Sequence, residues 1–338
     1  MRLNRALFNW LMGISLVCLL SSCVGDDKAQ LYRTTRLMMG TFVEITVAGN
    51  GPKVKEAAQA VIAELARVEK LTSFHQSSAL GAINDKAGVA PVSPGEELLK
   101  LVNTSLDTAR KTSGAFDPTV GPLSRLWNFS GGDPTLPDRQ DVQRATAKVG
   151  WKRVALDAET GTIFLPHEGM SLDLGAIAKG YALDRAKEVL TKYGVSSALI
   201  NAGGDVLGMG LKQPGKPWRV GIQDPRNPRD IVAVVDLTDR VIVTSGDYER
   251  FFTKDGKRYH HILDPRTGYP ARGVQSVTIV APDGVTADAL ATAVFVLGPG
   301  QGLEIIESTP GVEGFFIDSS GEVRVSSGGT EIFETRGR

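Results

Sequence analysis

The stretch "SSALINAGGDVLGMG" (196–210) decides the fold class. Two short apolar runs meet at Gly203-Gly204, and a Gly-Gly pair supplies the positive φ angles that a two-residue hairpin needs. The two runs therefore read as a hairpin-like pair of antiparallel strands. Parallel neighbours would need a crossover of a dozen or more residues, which two glycines cannot provide.

Working outward from this hairpin, the same logic recurs. Upstream, "SLDLGAIAKGYALDRAKEVLTKYG" (171–194) reads as a strand end, a turn and a helix closed by Gly194. Earlier still, "TFVEITVAG" (41–49) alternates as a strand does. Residues 52–73 have helical periodicity, with Ala58, Val61, Ile62, Leu65 and Val68 on one stripe. A helix over about 95–112 stops at Gly114, residues 114–137 read as a structured loop, and a helix near 138–148 precedes short strands near 152–156 and 162–165. Downstream, short strands and turns fill 217–280, with "YHHILDPRTGYPARG" (259–273) as a loop among them. The apolar helix "TADALATAVFVLG" (286–298), another near 299–309 and two or three terminal strands complete the chain. Helices and strands alternate irregularly, and short turns join several strand pairs. The expected fold class is α+β, a mostly antiparallel sheet with packed helices, and not a doubly wound sheet. There is no internal repeat and no low-complexity tract.

The 338 residues balance 38 Lys and Arg against 38 Asp and Glu, and no basic run or stripe points to nucleic acid. The start differs from the rest. "MRLNRALFNWLMGISLVCLLSSC" has two arginines, an apolar stretch too short for a comfortable membrane span, and small residues ending at Cys23. Residues 1–22 are expected to be a signal peptide, 23–32 a lipid anchor and tether, and 33–335 the working domain. Leu20-Ser21-Ser22-Cys23 resembles a bacterial lipobox, in which Cys23 would carry the lipid (palmitate). An ordinary cleaved signal is the alternative. The expected location is the bacterial cell membrane, with the domain on the periplasmic or extracytoplasmic face. Cys18 would leave with the signal, so the exported domain would have neither thiol nor disulfide.

Several segments carry groups suited to chemistry. His260 and His261 are adjacent, and Asp264 follows three residues beyond His261. Such a loop could relay a proton, or it could be a polar turn with satisfied histidines. "SGAFDPTVGPL" (113–123) offers an aromatic ring, a carboxylate and glycines beside which a planar ligand could lie, or it is simply a rigid loop. "DLGAIAKGYALD" (173–184) places a helix N-terminus and Lys179 where phosphate could be received, without the spacing of a Walker loop or a dinucleotide fingerprint. In the apolar 286–298 helix, Asp288 and Thr292 lie on one face, one turn apart. Asp288 could complement its own helix dipole and Thr292 could bond back to a carbonyl. Alternatively, the two are hard oxygen ligands for magnesium.

Taken in order, Met39-Gly40-Thr41, "SGAFDPTVGPL", "DLGAIAKGYALD", "NAGGD", "HHILDPRTGYP" and "ADALATAVFVLG" resemble the ApbE family, the FAD:protein FMN transferases, over about residues 33–335. The resemblance implies an ApbE-like (T-fold-like) domain. It would bind FAD as substrate with Mg²⁺ and attach FMN through a phosphoester to a Thr or Ser hydroxyl of a target protein, releasing AMP. Implied partners are exported acceptor flavoproteins, such as subunits of redox-driven ion pumps, and the membrane through the lipid anchor. Two other outcomes remain open: an FAD pyrophosphatase giving FMN and AMP, and a flavin-binding lipoprotein without catalysis. By position, the resemblance implies that Met39, Phe74, Ala115, Phe116, Asp117, Asp173, Lys179 and Ile262 contact FAD. The carbonyl of Ala176 and the side chains of Asp288 and Thr292 would hold the metal, and His261, oriented by Asp264, would activate the acceptor hydroxyl. Lys179 departs from members that carry an acid there.

Overall fold

A computed structural model describes residues 30–49, 51–74, 77–129 and 135–336. The expected signal peptide, Cys23 and all but the end of the tether lie outside these residues. Among the described residues no helix is long and apolar enough to cross a membrane.

The expected hairpin forms. Strands β5 (Ala198–Ala202) and β6 (Asp205–Met209) pair antiparallel around Gly203 and Gly204, with φ of 66° and 102°. Strands β1 (Leu31–Met38) and β2 (Thr41–Ala48) close in the same way around Met39 and Gly40, with φ of 52° and 72°. The two tips touch: a Cβ on Gly203 would stand 2.3 Å from Thr41 Oγ1, so only glycine fits there. With β9 (Arg240–Gly246), β12 (Val274–Ala281), β13 (Glu313–Asp318) and β14 (Val323–Val325) these strands build an eight-stranded sheet in the order β1-β2-β5-β6-β9-β12-β13-β14. Every neighbouring pair in it is antiparallel.

Helices α1 (Pro52–Thr72), α6 (Ala178–Lys192), α7 (Gly284–Leu297) and α8 (Pro299–Glu307) cover one face of this sheet. The stripe on α1 buries Ala58, Val61, Leu65 and Val68 as its period predicts, adds Val54 and Ala57, and leaves Ile62 at the margin. The other face is covered over β6, β9, β12 and β13 by a small sheet of β15 (Phe333–Thr335), β8 (Ile231–Leu237) and β7 (Trp218–Gln223). Strand β2 lies beyond that cover and alternates cleanly, with Val43, Ile45 and Val47 buried and Phe42 and Glu44 exposed. Strand β12 is buried at every position, because both of its faces are packed.

A second core joins α2 (Ala79–Asp85), α3 (Glu96–Lys111) and the short pair β3 (Ala155–Asp157) and β4 (Thr162–Phe164) to the far side of α7 through Ala289 and Ala293. Helix α7 therefore meets apolar neighbours on both its sheet side and its far side, which explains why residues 289–297 are apolar but for Thr292. The aromatic residues Trp127, Phe129, Phe252, Tyr259 and Tyr269 form a further cluster. It ties α4 (Gly121–Trp127) and α5 (Arg139–Thr146) to the hairpin of β10 (Phe251–Lys254) and β11 (Lys257–His260). Helix α9 (Gly329–Ile332) leads into β15.

Several elements differ from expectation. Helix α4 interrupts the 114–137 loop, α2 was not foreseen, and β1 begins at Leu31, inside the expected tether. Among the described residues no strand leads into α6, where residues 171–177 run as loop and turn, and the strand expected near 152–156 is a single 3-10 turn, Trp151–Arg153, followed by β3. Helices α2 and α4 have seven residues each, too few for a period to show. Strand β1 is a sheet edge of mixed polarity, so its burial alternates poorly.

Candidate active site

Both hairpin tips end at the mouth of a cavity of about 600 Å³. Met39, Gly40, Thr41 and Gly203 come from the tips, Ala115, Phe116 and Asp117 from the segment after α3, and Asp173, Ala176 and Lys179 from the approach to α6. His261 and Ile262 follow β11, Asp288 and Thr292 come from α7, and Phe74 stands at the rim. The structure thus brings together every residue expected at the site except Asp264, which does not line the cavity.

Asp288 is the fifth residue of α7, whose N-cap is Asp283, accepting from the Thr286 N–H at 2.8 Å. Its carboxylate therefore does not serve the dipole of its own helix. It closes the N-terminus of α6 instead: the Gly180 N–H donates to Oδ2 at 2.9 Å, and the backbone N–H of Lys179 also bonds it. The helix end expected to receive phosphate is thus already filled by a protein carboxylate. The arrangement is reciprocal. Asp184 of α6 accepts from the N–H groups of Gly284 (2.7 Å) and Val285 (3.0 Å), the first residues of α7. Between the two caps the helices touch backbone to backbone, since a Cβ on Gly180 would lie 1.9 Å from the Gly284 carbonyl oxygen. Burial, with the charge of Asp205 next, raises the Asp288 carboxyl to about 7, against the pull of Lys179 and the two amides.

Lys179 lines the cavity, and its ammonium pairs with buried Asp205. Burial works against that charge, but Asp205 and Asp288 outweigh it and the Lys179 pKa is raised, so the ammonium stays charged. Asp205 was not foreseen, because "NAGGD" reads first as a turn. The signal was strand alternation: Asp205 shares the helix-side face of β6 with Leu207 and Met209, where an apolar residue belongs.

Three oxygen donors share the cavity with this ion pair. The Thr292 hydroxyl makes no hydrogen bond among the described residues, so the back-bond considered for it does not form. The Ala176 carbonyl receives no N–H among the described residues, because Gly180, which would donate to it in a continuing helix, turns to Asp288. One carboxylate, one hydroxyl and one carbonyl suit a hard cation that keeps water and substrate oxygens in its shell. Among the described residues no group of three His, Cys, Asp or Glu side chains offers an alternative. The residues present fit the expected metal.

The two histidines part company. His260 is buried, its Nε2 meets the Ala271 carbonyl at 2.9 Å, and its Nδ1 accepts from the Ile262 N–H at 3.3 Å. Both nitrogens are engaged, and burial lowers its pKa to about 4. His261 faces the cavity, and its Nδ1 has no protein partner among the described residues. Burial first, then the charge of Arg250, hold its pKa down to about 3, so the ring is neutral at physiological pH. Asp264 does not orient it. That carboxylate binds Arg266, through the Nε (2.8 Å), Nη2 (2.9 Å) and backbone N–H (2.9 Å), and so fixes the turn after the histidines. The expected orienting role is corrected to a structural one.

The opposite wall is rigid. Asp117 accepts from the Thr119 N–H (2.8 Å), the Thr119 hydroxyl (2.6 Å) and the Trp151 N–H (3.1 Å), which locks Ala115 and Phe116 in place. Burial nonetheless raises its pKa. Asp173 accepts from the Gly175 N–H at 2.8 Å. The Met39 N–H donates to Glu69 Oε1 at 2.8 Å, which anchors the first tip to α1. Arg125, Phe129, Glu249 and Arg250 also line the cavity and had not been singled out.

Residues 39–316 match the sequence model of the ApbE family. The chain is 39% identical over 340 aligned positions to the FAD:protein FMN transferase of Treponema pallidum, spanning 94% of each chain. It is 33% identical to the protein of that name from Escherichia coli K12, spanning 79% of each. Among solved structures, the ApbE protein of Thermotoga maritima superposes with a TM-score of 0.84 at 38% identity, over 91% of this chain and 100% of that one. The flavin transferase ApbE of Vibrio cholerae superposes with a TM-score of 0.81 at 28% identity, over 90% and 99%.

Proposed function

Because the chain belongs to the ApbE family, we propose that it is an FAD:protein FMN transferase acting on exported proteins. The observation that carries this reading is that His261 and the oxygen donors of Ala176, Asp288 and Thr292 line one cavity. The reaction runs as follows. The hydroxyl oxygen of an acceptor Thr or Ser attacks the phosphorus of the FMN half of FAD. The bond from that phosphorus to the bridging oxygen breaks, and AMP leaves with that oxygen. His261 takes the hydroxyl proton as the phosphoester forms, since a hydroxyl needs a base within hydrogen-bond reach.

A bound Mg²⁺, held by Ala176, Asp288 and Thr292, would neutralise charge on the pyrophosphate. The chain's own part is positioning. Phe116 and Ala115 give the flavin an apolar wall, Met39 and Phe74 border the mouth, and Lys179, charged and partly exposed to the cavity, adds to the positive field. We further propose export and lipid attachment at Cys23, which an inability of Cys23→Ser to enter the membrane fraction would support.

The test is incubation with FAD, Mg²⁺ and an exported acceptor flavoprotein domain, followed by mass spectrometry of the acceptor. Covalent FMN with equimolar AMP is the expected result. FMN and AMP free in solution, with an unlabelled acceptor, would make the protein a pyrophosphatase; intact FAD would make it a carrier.

A further inference from the structure

We propose that Asp184 is a positioning residue for the candidate cation site: by holding the first two N–H groups of α7, it sets where Asp288 and Thr292 stand against the first turn of α6. The inference rests on reading Ala176, Asp288 and Thr292 as that site.

The geometry is that of two interlocked helix ends. Each helix carries the same spacing at its start, Gly180 to Asp184 on α6 and Gly284 to Asp288 on α7. Each glycine admits the backbone of the other helix, and a Cβ on either would fall within 2.2 Å of the partner's carbonyl oxygen. Each aspartate then closes the N-terminus of the other helix. The two caps are not equivalent in use. Asp288 lines the cavity and Asp184 does not. With Asp288 divided between α6 and the cavity, Asp184 is the cap committed wholly to fixing the relative height of the helices. That height matters because the three oxygen donors are shared between them. Ala176 precedes α6, whereas Asp288 and Thr292 ride on α7. A shift of one helix along the other would separate the carbonyl from the two side chains, and groups that orient metal ligands govern affinity although they never touch the ion.

The experiment titrates Mn²⁺ alone into the whole protein and follows the free ion by electron paramagnetic resonance, alongside thermal melting. Asp184→Ala is expected to weaken Mn²⁺ binding about 10- to 100-fold, the range for groups that support metal ligands. Asp184→Asn keeps one acceptor oxygen and is expected to fall between it and the wild type. Leu190→Ala, at a buried position further along α6, controls for stability. It is expected to lower the melting temperature while leaving Mn²⁺ affinity unchanged. Wild-type affinity in a folded Asp184→Ala would overturn the proposal, and so would an equal loss of affinity in Leu190→Ala. Should Asp184→Ala fail to fold, wild-type affinity in Asp184→Asn would overturn it. A wild-type protein that binds no Mn²⁺ would defeat the cation reading itself.

Discussion

His260 and His261 are covalent neighbours in opposite surroundings. Strand β11 ends at His260, so the next side chain turns from the core to the cavity. Replacing His261 by Ala is expected to retain FAD, measured by quenching of flavin fluorescence, and to slow transfer by about 10²- to 10⁴-fold, the usual share of a general base. Loss of FAD binding instead would make His261 a ligand contact. His260 is predicted to act on stability. Its pKa is about 4 in the fold against an ordinary histidine value of 6.5. Between those values the unfolded chain binds the proton and the fold does not, so its contribution is full above pH 6.5 and lost as pH falls toward 4. Acidification from pH 7 to 5 should therefore cost the wild type roughly 2 kcal/mol more than it costs His260→Gln, as read by urea unfolding. The sequence placed both histidines in one loop but could not separate them, because only the packing of Ala271 and Phe295 around His260 does so.

Among elements, the pairing of α6 with α7 decides the most. Gly180→Ala asks a methyl group to occupy the Gly284 carbonyl, and backbone cannot yield as a flexible side chain would. A loss of about 3 kcal/mol, at the upper end of overpacking effects, is expected in denaturant unfolding. An unaffected midpoint would show that the helices part easily. The sequence showed both helices and the awkward Asp288, but offered two explanations for it, its own helix dipole or a metal. The structure supplies a third partner, the end of α6, which lies 108 residues away from Asp288 in sequence. No local pattern reports a contact of that separation. The same holds for Asp205, whose ion pair with Lys179 joins a strand to a helix.

At the level of the whole molecule, the antiparallel sheet was legible because turns are local. The Gly-Gly hairpin, the alternation of β2 and the stripe on α1 each depend on residues within a few positions of one another. The order of strands was not legible, since β2 finds β5 across some 150 residues and β6 finds β9 only after β7 and β8 have crossed to the other face. The small sheet depends on the last described strand, where Phe333 packs on Phe315 with ring centroids 5.3 Å apart. Phe333→Ala should reduce stability by about 3–5 kcal/mol while leaving FAD affinity intact, because that core lies across the sheet from the cavity. A parallel loss of FAD affinity would mean that the sheet transmits strain to the hairpin tips.

The interlocked ends of α6 and α7 also bear on how such a chain is free to drift over generations. A side chain gained at position 180 has no room until the backbone at 284 withdraws, and a carboxylate lost at 184 strands two amides on the other helix. The four positions should therefore change together or stay fixed. Descendants that lose the proposed cation site at 288 should still keep a short acceptor side chain there, Asn or Ser, for as long as the end of α6 needs closing.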